Sequence, residues 1–505
     1  GYFAAIRGKV SHSTPYTPYR WDAVLDRDSN GHQHHVKDPK SYGESTRQGI
    51  ALARQQGKPF CLMINISDPH KPFYSPKTRE GVPADPFTPS RVFVGEEVPI
   101  PGFLFDDPDV RQELALYYSS VRRADDAFSE IMDALNRSGE QDRTVVLFCS
   151  DHGMPLPFAK TQLYYHSTRT PLMVRWPGVT TPGYVDHEHM VSAIDFLPTL
   201  LELMGHKHPE PERLDGRSFA PLLRGESQTG RDHVILQYNE NSGGNRHPMR
   251  GLVTKTHLYL FNPWSDGHRR FATATTGTMS YRRMRELAVS DAFISRRLMH
   301  FDHRVREEFY ERASDSDCRE NLIGYTEQQQ TIEQARSKLA SELLRIGDPV
   351  GPLLFEIENA KLVTLFMGQE DQRSREHQER KRADRFGNKK SVNELADKAL
   401  IIACEKNVHT GSDLKVNIKY NLPSKLGRQK IQVTLKYDSK KSDLGVSEKL
   451  ERKIISVQGA GEAVVTFHVP DQVLSNQLRV AAFVGEEFST NRIYKVSDRI
   501  LVSTD

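Results

Sequence analysis

The chain has 505 residues, room for two or three domains with substantial cores. Its 69 Lys and Arg against 66 Asp and Glu leave a formal net charge of +3, too near balance to argue for a nucleic-acid partner, and no apolar run is long enough to span a bilayer. Four cysteines at irregular spacing, Cys61, Cys149, Cys318 and Cys404, are not a disulfide framework.

Taken in chain order, the first feature is Gly1-Tyr2 followed by Gly8-Lys9 and His12, which places a cation and an imidazole at a turn after a short apolar segment. His32, His34 and His35 then cluster in Gly-His-Gln-His-His. Without Cys partners or zinc-type spacing, that cluster reads as a polar surface loop. Next, Pro59-Phe60-Cys61-Leu62-Met63-Ile64-Asn65-Ile66 reads as a strand and ends in Ser67-Asp68-Pro69-His70-Lys71-Pro72-Phe73. A helix is predicted over 111–135, with Leu114, Tyr117, Tyr118, Val121, Ala124, Phe128 and Met132 tracing its core face.

The most informative stretch follows. Thr144-Val145-Val146-Leu147-Phe148-Cys149 reads as a strand buried on both faces, and it releases Ser150-Asp151-His152-Gly153, with Lys160 within reach. Ligands of open α/β sheets sit beyond the carboxyl ends of such strands. Asp151 and His152 offer a carboxylate oxygen and an imidazole nitrogen to a cation. Three apolar strands thus end in loops carrying Lys9, His12, His70, Asp151, His152 and Lys160, a set that suits an oxyanion.

Further on, Val234-Ile235-Leu236-Gln237-Tyr238 and Leu258-Tyr259-Leu260-Phe261 are shorter strands, with a final helix near 332–346. The run 370–390 is densely charged and reads as a solvated helix or linker. Beyond it, period-two patterns at Leu414/Val416/Ile418/Tyr420, Ile431/Val433/Leu435/Tyr437, Val465/Phe467/Val469 and Leu478/Val480/Ala482 predict an antiparallel β-sandwich. The expected division is a catalytic core at 1–225, a small antiparallel α+β subdomain at 226–348, a charged linker or helix at 349–400 and the sandwich at 401–505.

These motifs resemble the sulfatase family of the alkaline phosphatase superfamily. The glycine-tyrosine start leading to Gly8-Lys9 and His12 matches that family's second signature. Asp68-Pro69-His70 looks like its histidine loop, and Ser150-Asp151-His152-Gly153 with Lys160 like its metal strand and lysine. Arg169 to Gly178, Ser192-Ala193-Ile194-Asp195-Phe196-Leu197-Pro198-Thr199-Leu200-Leu201, and Glu308-Phe309-Tyr310-Glu311 through Leu322 follow in the family's order. Asn262-Pro263-Trp264 after His247-Pro248-Met249-Arg250 is similar to the sulfamidase (heparan N-sulfatase) branch.

The resemblance implies an α/β fold: an alkaline-phosphatase-like three-layer sandwich core, a small antiparallel sheet subdomain and a C-terminal β-sandwich. It also implies hydrolysis of sulfate esters, or sulfamates, on a sulfated sugar or polysaccharide, in the periplasm or secreted. Asp151 and His152 would hold a divalent cation, with calcium expected. Lys9 and Lys160 would clamp sulfate oxygens, His70 would protonate the leaving group and His12 would help break down the sulfated intermediate. Of His247 and Arg250 two readings stay open, that they border the substrate pocket or that they serve the structure.

The family's nucleophile is a formylglycine made in Cys/Ser-x-Pro-x-Arg. No cysteine here has Pro two positions on, and Phe87-Thr88-Pro89-Ser90-Arg91 cannot yield an aldehyde. The expectation is therefore that the nucleophile, the first strand and half of the metal cage belong to a preceding segment, and that the chain alone is inactive. Two rivals remain open: a phosphonate or phosphodiester hydrolase of the same superfamily, and a non-catalytic glycan-binding relative.

Overall fold

A computed structural model describes residues 1–10, 21–77, 84–241, 243–422, 428–437, 449–473, 477–484, 494–496 and 500–503, with backbone alone at 380–398, 437, 449 and 494–496. His12 lies outside the described residues. The chain divides into two compact units, residues 1–374 and 375–505.

In the first unit, β1 (Phe3–Arg7) runs parallel to both β2 (Ala23–Val24) and β3 (Phe60–Ile64). Parallel neighbours need a crossover, and α1 (Pro39–Gln55) supplies it between β2 and β3. Asp38 starts this helix by accepting from Lys40 N, with Pro39 already at the fixed φ a first turn requires. Helix α2 (Pro108–Arg137) packs so closely on α1 that a Cβ at Gly43 would stand 2.8 Å from the Glu130 carbonyl oxygen.

The buried face of α2 departs from the predicted stripe. It is built on Val110, Glu113, Leu114, Ala115, Ser119, Ser120, Arg123 and Ala127, while Val121 is exposed. Polar side chains occupy it because each has a buried partner: Ser120 Oγ accepts from Tyr74 N and Ser119 Oγ from Phe93 N. Glu113 accepts from Met279 N and Ser280 N, at the start of a later helix.

β4 (Val146–Cys149) pairs antiparallel with β5 (Leu172–Arg175), and among the described residues it pairs with no other strand. The expected double burial is corrected accordingly: Val146, Leu147 and Phe148 are half-buried and Cys149 is exposed. A two-stranded ladder cannot cover both faces of such a strand, and one continuous core sheet does not form among these residues.

The motif at 192–201 gains a structural meaning. Helix α3 (Phe196–Leu203) follows Asp195, whose buried carboxylate accepts from Ser192 N, Arg217 N and the Arg231 guanidinium at 2.9, 2.7 and 2.8 Å.

A four-stranded antiparallel sheet, ordered β6 (His233–Glu240), β7 (Arg246–Thr254), β8 (His257–Phe261) and β9 (Glu307–Glu311), carries the largest core cluster. Around it pack α4 (Met279–Leu287), α5 (Ala292–His303) and α6 (Gln329–Arg345). β7 is the most deeply buried strand, yet no alternation announces it, because Arg246, His247, Pro248, Arg250 and Gly251 break the pattern. Gly251 is needed for space: a Cβ there would lie 2.8 Å from the Leu260 side chain.

The charged run begins inside α7 (Ala360–Ala399) and is not wholly solvated. Glu370 is 1% exposed and pairs with Arg246, and Asp371 takes a two-pronged hydrogen bond from Arg269 at 2.7 Å each.

In the second unit a three-stranded sheet, β10 (Leu400–Cys404), β12 (Asp413–Asn421) and β15 (Ala460–His468), shares one core with a sheet built from β11 (Asn407–His409), β13 (Gln429–Tyr437), β14 (Lys449–Val457), β16 (Gln477–Val484), β17 (Tyr494–Val496) and β18 (Ile500–Ser503). Leu414, Val416 and Ile418 face Ile431, Val433, Leu435, Phe467 and Val480 inside it. Strict alternation made these strands legible.

The Asp195 hub generates a stability prediction. Asp195→Ala strands a buried guanidinium and should lower the unfolding free energy by roughly 3–5 kcal/mol, read by chemical denaturation; a loss below about 1 kcal/mol, the range of exposed ion pairs, would contradict it.

Candidate active site

The parallel register of β1 and β3 pairs Arg7 with Ile64, so the chain leaves both strands at one edge. The two exits are tied together, because Asn65 Nδ2 donates to the carbonyls of Arg7 and Gly8 at 3.2 and 3.0 Å. Gly8 has φ +71°, and a Cβ there would meet the Asn65 carbonyl oxygen at 2.8 Å, so only glycine fits. Asp26 fixes the same turn, accepting from Gly8 N at 2.7 Å and from the fully buried Arg7 at 3.3 Å.

Lys9 follows with φ 53°, a left-handed backbone that costs a non-glycine residue on the order of 1 kcal/mol or more. Phe158 and Thr161, which flank Lys160, share that conformation at φ 63° and 66°. Strain of this kind persists where surrounding structure imposes it and gathers at functional sites. Around Lys160 the imposing contacts are visible: Leu156, Phe158 and Ala159 are buried, Arg297 lies flat over the Phe158 ring at 3.8 Å, and Lys160 N donates to Met154 O at 3.0 Å.

Beneath that loop, Tyr164 OH donates to Glu308 at 2.6 Å and accepts from Arg304 at 2.8 Å. Burial alone would push the Glu308 carboxyl up, but His300, Arg304 and the Tyr164 hydroxyl outweigh it and bring it down to about 2. The site is thus braced by strand β9, 144 residues away from Tyr164 in sequence.

Gly153 explains the third residue of Asp-His-Gly. A Cβ there would fall 1.7 Å from the His166 carbonyl oxygen, and its N–H donates to Ser167 O at 2.8 Å. Just before this close approach, Asp151 is exposed and His152 half-buried. His152 Nδ1 bonds Gly153 O at 2.8 Å; a carbonyl only accepts, so this nitrogen donates and Nε2 is the ring atom left for a ligand. That Nε2 stands 3.5 Å from Asp151 Oδ2. The pair fits two corners of a divalent-cation shell, and no third His, Cys, Asp or Glu joins them among the described residues. Calcium takes six to eight oxygens, so this pair is a fragment of such a shell.

His70 shows that the loops converge. Its pKa is held below the ordinary histidine value, first by partial burial, then by the positive charges of Lys9, Lys160 and Lys37. The Lys160 ammonium is pulled down by burial and by Lys9, against the opposing charge of Asp151. Lys9, His70, Lys160 and Asp151 therefore sit within electrostatic reach of one another. His70 Nδ1 donates to Lys71 O at 2.7 Å, which leaves Nε2 for a partner.

His247 and Arg250 are used inside the small sheet and are not brought to this cluster. His247 packs edge-on against Trp264 and Phe271, where burial pushes it down to about 4, and Arg250 donates to Asp348 at 2.7 Å. The histidine cluster is not a uniform surface loop either, since His34 is buried and His35 packs on Phe87.

Sequence reasoning missed a buried set behind the histidine loop: Lys37, Asp68, Asp85 and Arg123. Asp68 takes Lys37 Nζ at 2.6 Å and Arg123 Nε at 2.6 Å, and Arg123 also reaches Asp85 at 2.7 Å. An arginine on a helix usually reads as solvated. The one available signal was that Arg123 falls one turn from Ser119 and Ser120, small residues on a face that must touch something.

Comparison with known proteins places these motifs. A sulfatase family model matches residues 13–206, and a model of the C-terminal part of N-sulphoglucosamine sulphohydrolase matches residues 151–264. The chain is 29% identical over 225 residues to an endo-4-O-sulfatase of Bacteroides thetaiotaomicron, covering 41% of this chain and 40% of that protein. It is 26% identical over 332 residues to human N-sulphoglucosamine sulphohydrolase, covering 59% and 63%. A choline-sulfatase of Rhizobium meliloti is 28% identical over 200 residues, covering 36% and 38%. The chain spans less than two thirds of the length of each of these relatives. Residues 13–206 match the sulfatase family, and the ordered motifs and these relatives agree with that match.

Proposed function

We propose that residues 1–374 carry the oxyanion cradle of a hydrolase acting on sulfate esters, or sulfamates, of a sugar or polysaccharide. The observation that carries this reading is that β1 and β3 release Lys9 and His70 at one sheet edge, their exits tied by Asn65, with Lys160 after β4 near enough to bear on the His70 charge. Two ammonium groups beside an imidazole are poorly placed for a cationic or neutral ligand and well placed for a tetrahedral anion. The family relationship and the named substrates of the relatives favour sulfate over phosphodiester, and a sulfated glycan in turn suggests a periplasmic or secreted protein.

The chemistry follows from where charge develops. As the bond between sulfur and the leaving oxygen lengthens, negative charge grows on that oxygen and on the oxygens around sulfur. Fixed cations at Lys9 and Lys160 stabilise the second set. Without an anion, burial and those cations disfavour the protonated form of His70. A bound sulfate offsets their field, so the imidazole takes up a proton that Nε2 can pass to the leaving oxygen of an ester, freeing an alcohol, or to the leaving nitrogen of a sulfamate, freeing an amine. By family likeness His12 would assist in the later release of sulfate. Asp151 and His152 would hold one side of a calcium ion, whose charge would add to the same stabilisation. The formylglycine that the family implies has no Cys/Ser-x-Pro-x-Arg site within the 505 residues, so the residues present do not fit that group.

Two outcomes test the proposal. In NMR titrations of the 505-residue protein, His70 should titrate below about 6.5, and saturating inorganic sulfate should raise its midpoint. By linkage, sulfate then binds more tightly at pH 5.5 than at pH 8, and Lys9→Ala or Lys160→Ala weakens it about tenfold or more. A His70 titration indifferent to sulfate would remove the cradle. Separately, these residues alone should turn over neither an aryl sulfate nor an aryl phosphodiester; sulfate-ester turnover abolished by Lys9→Ala would reveal a nucleophile that the sequence does not announce.

A further inference from the structure

The loop at 67–73 leaves β3 and carries His70 to the cradle, and its conformation is imposed from behind. Lys37, immediately before the first helix, extends its ammonium to two acceptors of that loop: Asp68 Oδ1 at 2.6 Å and the main-chain carbonyl of His70 at 2.7 Å. Arg123 holds the other face of Asp68, with Nε on Oδ2 at 2.6 Å and Nη2 on Oδ1 at 3.3 Å. Tyr42 OH accepts from Ser67 N at 2.9 Å at the loop's entry. Lys37, Asp68 and Arg123 are all buried.

Arg123 is divided between Asp68 and Asp85, and Lys37 balances the second carboxylate of this buried set. What Lys37 adds besides is the bond to His70 O. That carbonyl and the ring are held as a unit, because the ring's own Nδ1 is bonded to the next carbonyl, Lys71 O, at 2.7 Å. Fixing the His70 carbonyl restrains the backbone onto which the ring is closed, and so restricts where Nε2 points.

We propose that Lys37 is a positioning residue for His70, aiming its imidazole between Lys9 and Lys160 and contributing a third positive charge behind the cradle. The proposal rests on His70 being the proton donor of a sulfate site. Lys37 belongs to none of the motifs that carried the family resemblance, and it does not face the anion. It acts through the backbone it grips and through its charge, which works on His70 in the same direction as Lys9 and Lys160. Lys9, Lys160 and Lys37 are the charges that bear on this ring, whose Nδ1 is bonded to Lys71 O.

The test uses the 505-residue protein and inorganic sulfate. Lys37→Met, of similar length and uncharged, should raise the His70 midpoint by removing a nearby cation, and should weaken sulfate roughly 3–10-fold through loss of alignment. Lys37→Arg, which keeps charge and donors, should restore most of both. A residue that only stabilises the fold would change neither quantity in the folded protein. Should Lys37→Met fail to fold, the unsubstituted chain decides: the Lys37 ammonium nitrogen signal should shift with sulfate along the same saturation curve as His70. The proposal is overturned if folded Lys37→Met binds sulfate and titrates at His70 like the unsubstituted chain, or if the Lys37 signal ignores sulfate while His70 responds. Absence of any sulfate effect at His70 in the unsubstituted chain would instead sink the sulfate reading, which keeps the two failures apart.

Discussion

Like charges do not gather unless the scaffold beneath them is held, and here the holding group is the buried carboxylate of Asp68. It draws a lysine from before α1 and an arginine from α2 onto the loop after β3. A charge buried that deeply is tolerable only when its partners are fixed and its oxygens are satisfied. Both conditions are met, so the two helices and the parallel strands must close on one arrangement. The His70 ring inherits its position from that closure, and the Lys9 turn is tied to the same strand end by Asn65.

The second brace is independent of the first. Tyr164, Arg304, His300 and Glu308 form a buried polar network beneath the loop carrying Lys160, and it reaches from α5 and β9. Strain is visible where the two braces meet the surface. Lys9, Phe158 and Thr161 adopt left-handed backbones, and each lies within two residues of a cradle cation or is one. The small antiparallel sheet therefore serves the cradle from below, by holding the Lys160 loop in a shape it would not otherwise keep.

How much of this was legible follows from what sequence patterns encode. Period-two alternation exposed the strands of the second unit because one face of each is apolar throughout, as at Leu414, Val416 and Ile418. The Asp-His-Gly and Gly-Lys stretches were legible because their glycines answer local steric demands, which a motif records. β7 was not, since its buried face contains Arg250, neutralised by Asp348 from 98 residues away. The core face of α2 was misjudged for the same reason: Ser119, Ser120 and Arg123 are buried by partners distant in sequence, and periodicity counts only apolar residues. The predicted double burial of β4 failed because an apolar run reports affinity for a core without reporting which neighbours are present. Lys37 and Asp85 carried no signal at all, because a buried ion network is written in three dimensions.

The central claim is that loops from three strand ends make one site for a tetrahedral oxyanion. Selenate, a heavier stand-in for sulfate, tests it most directly through anomalous scattering from soaked crystals of the 505-residue protein. The account predicts one occupied position within contact distance of Lys9 Nζ, Lys160 Nζ and His70 Nε2. Selenate found only elsewhere, with those three groups turned away from a common point, would contradict it.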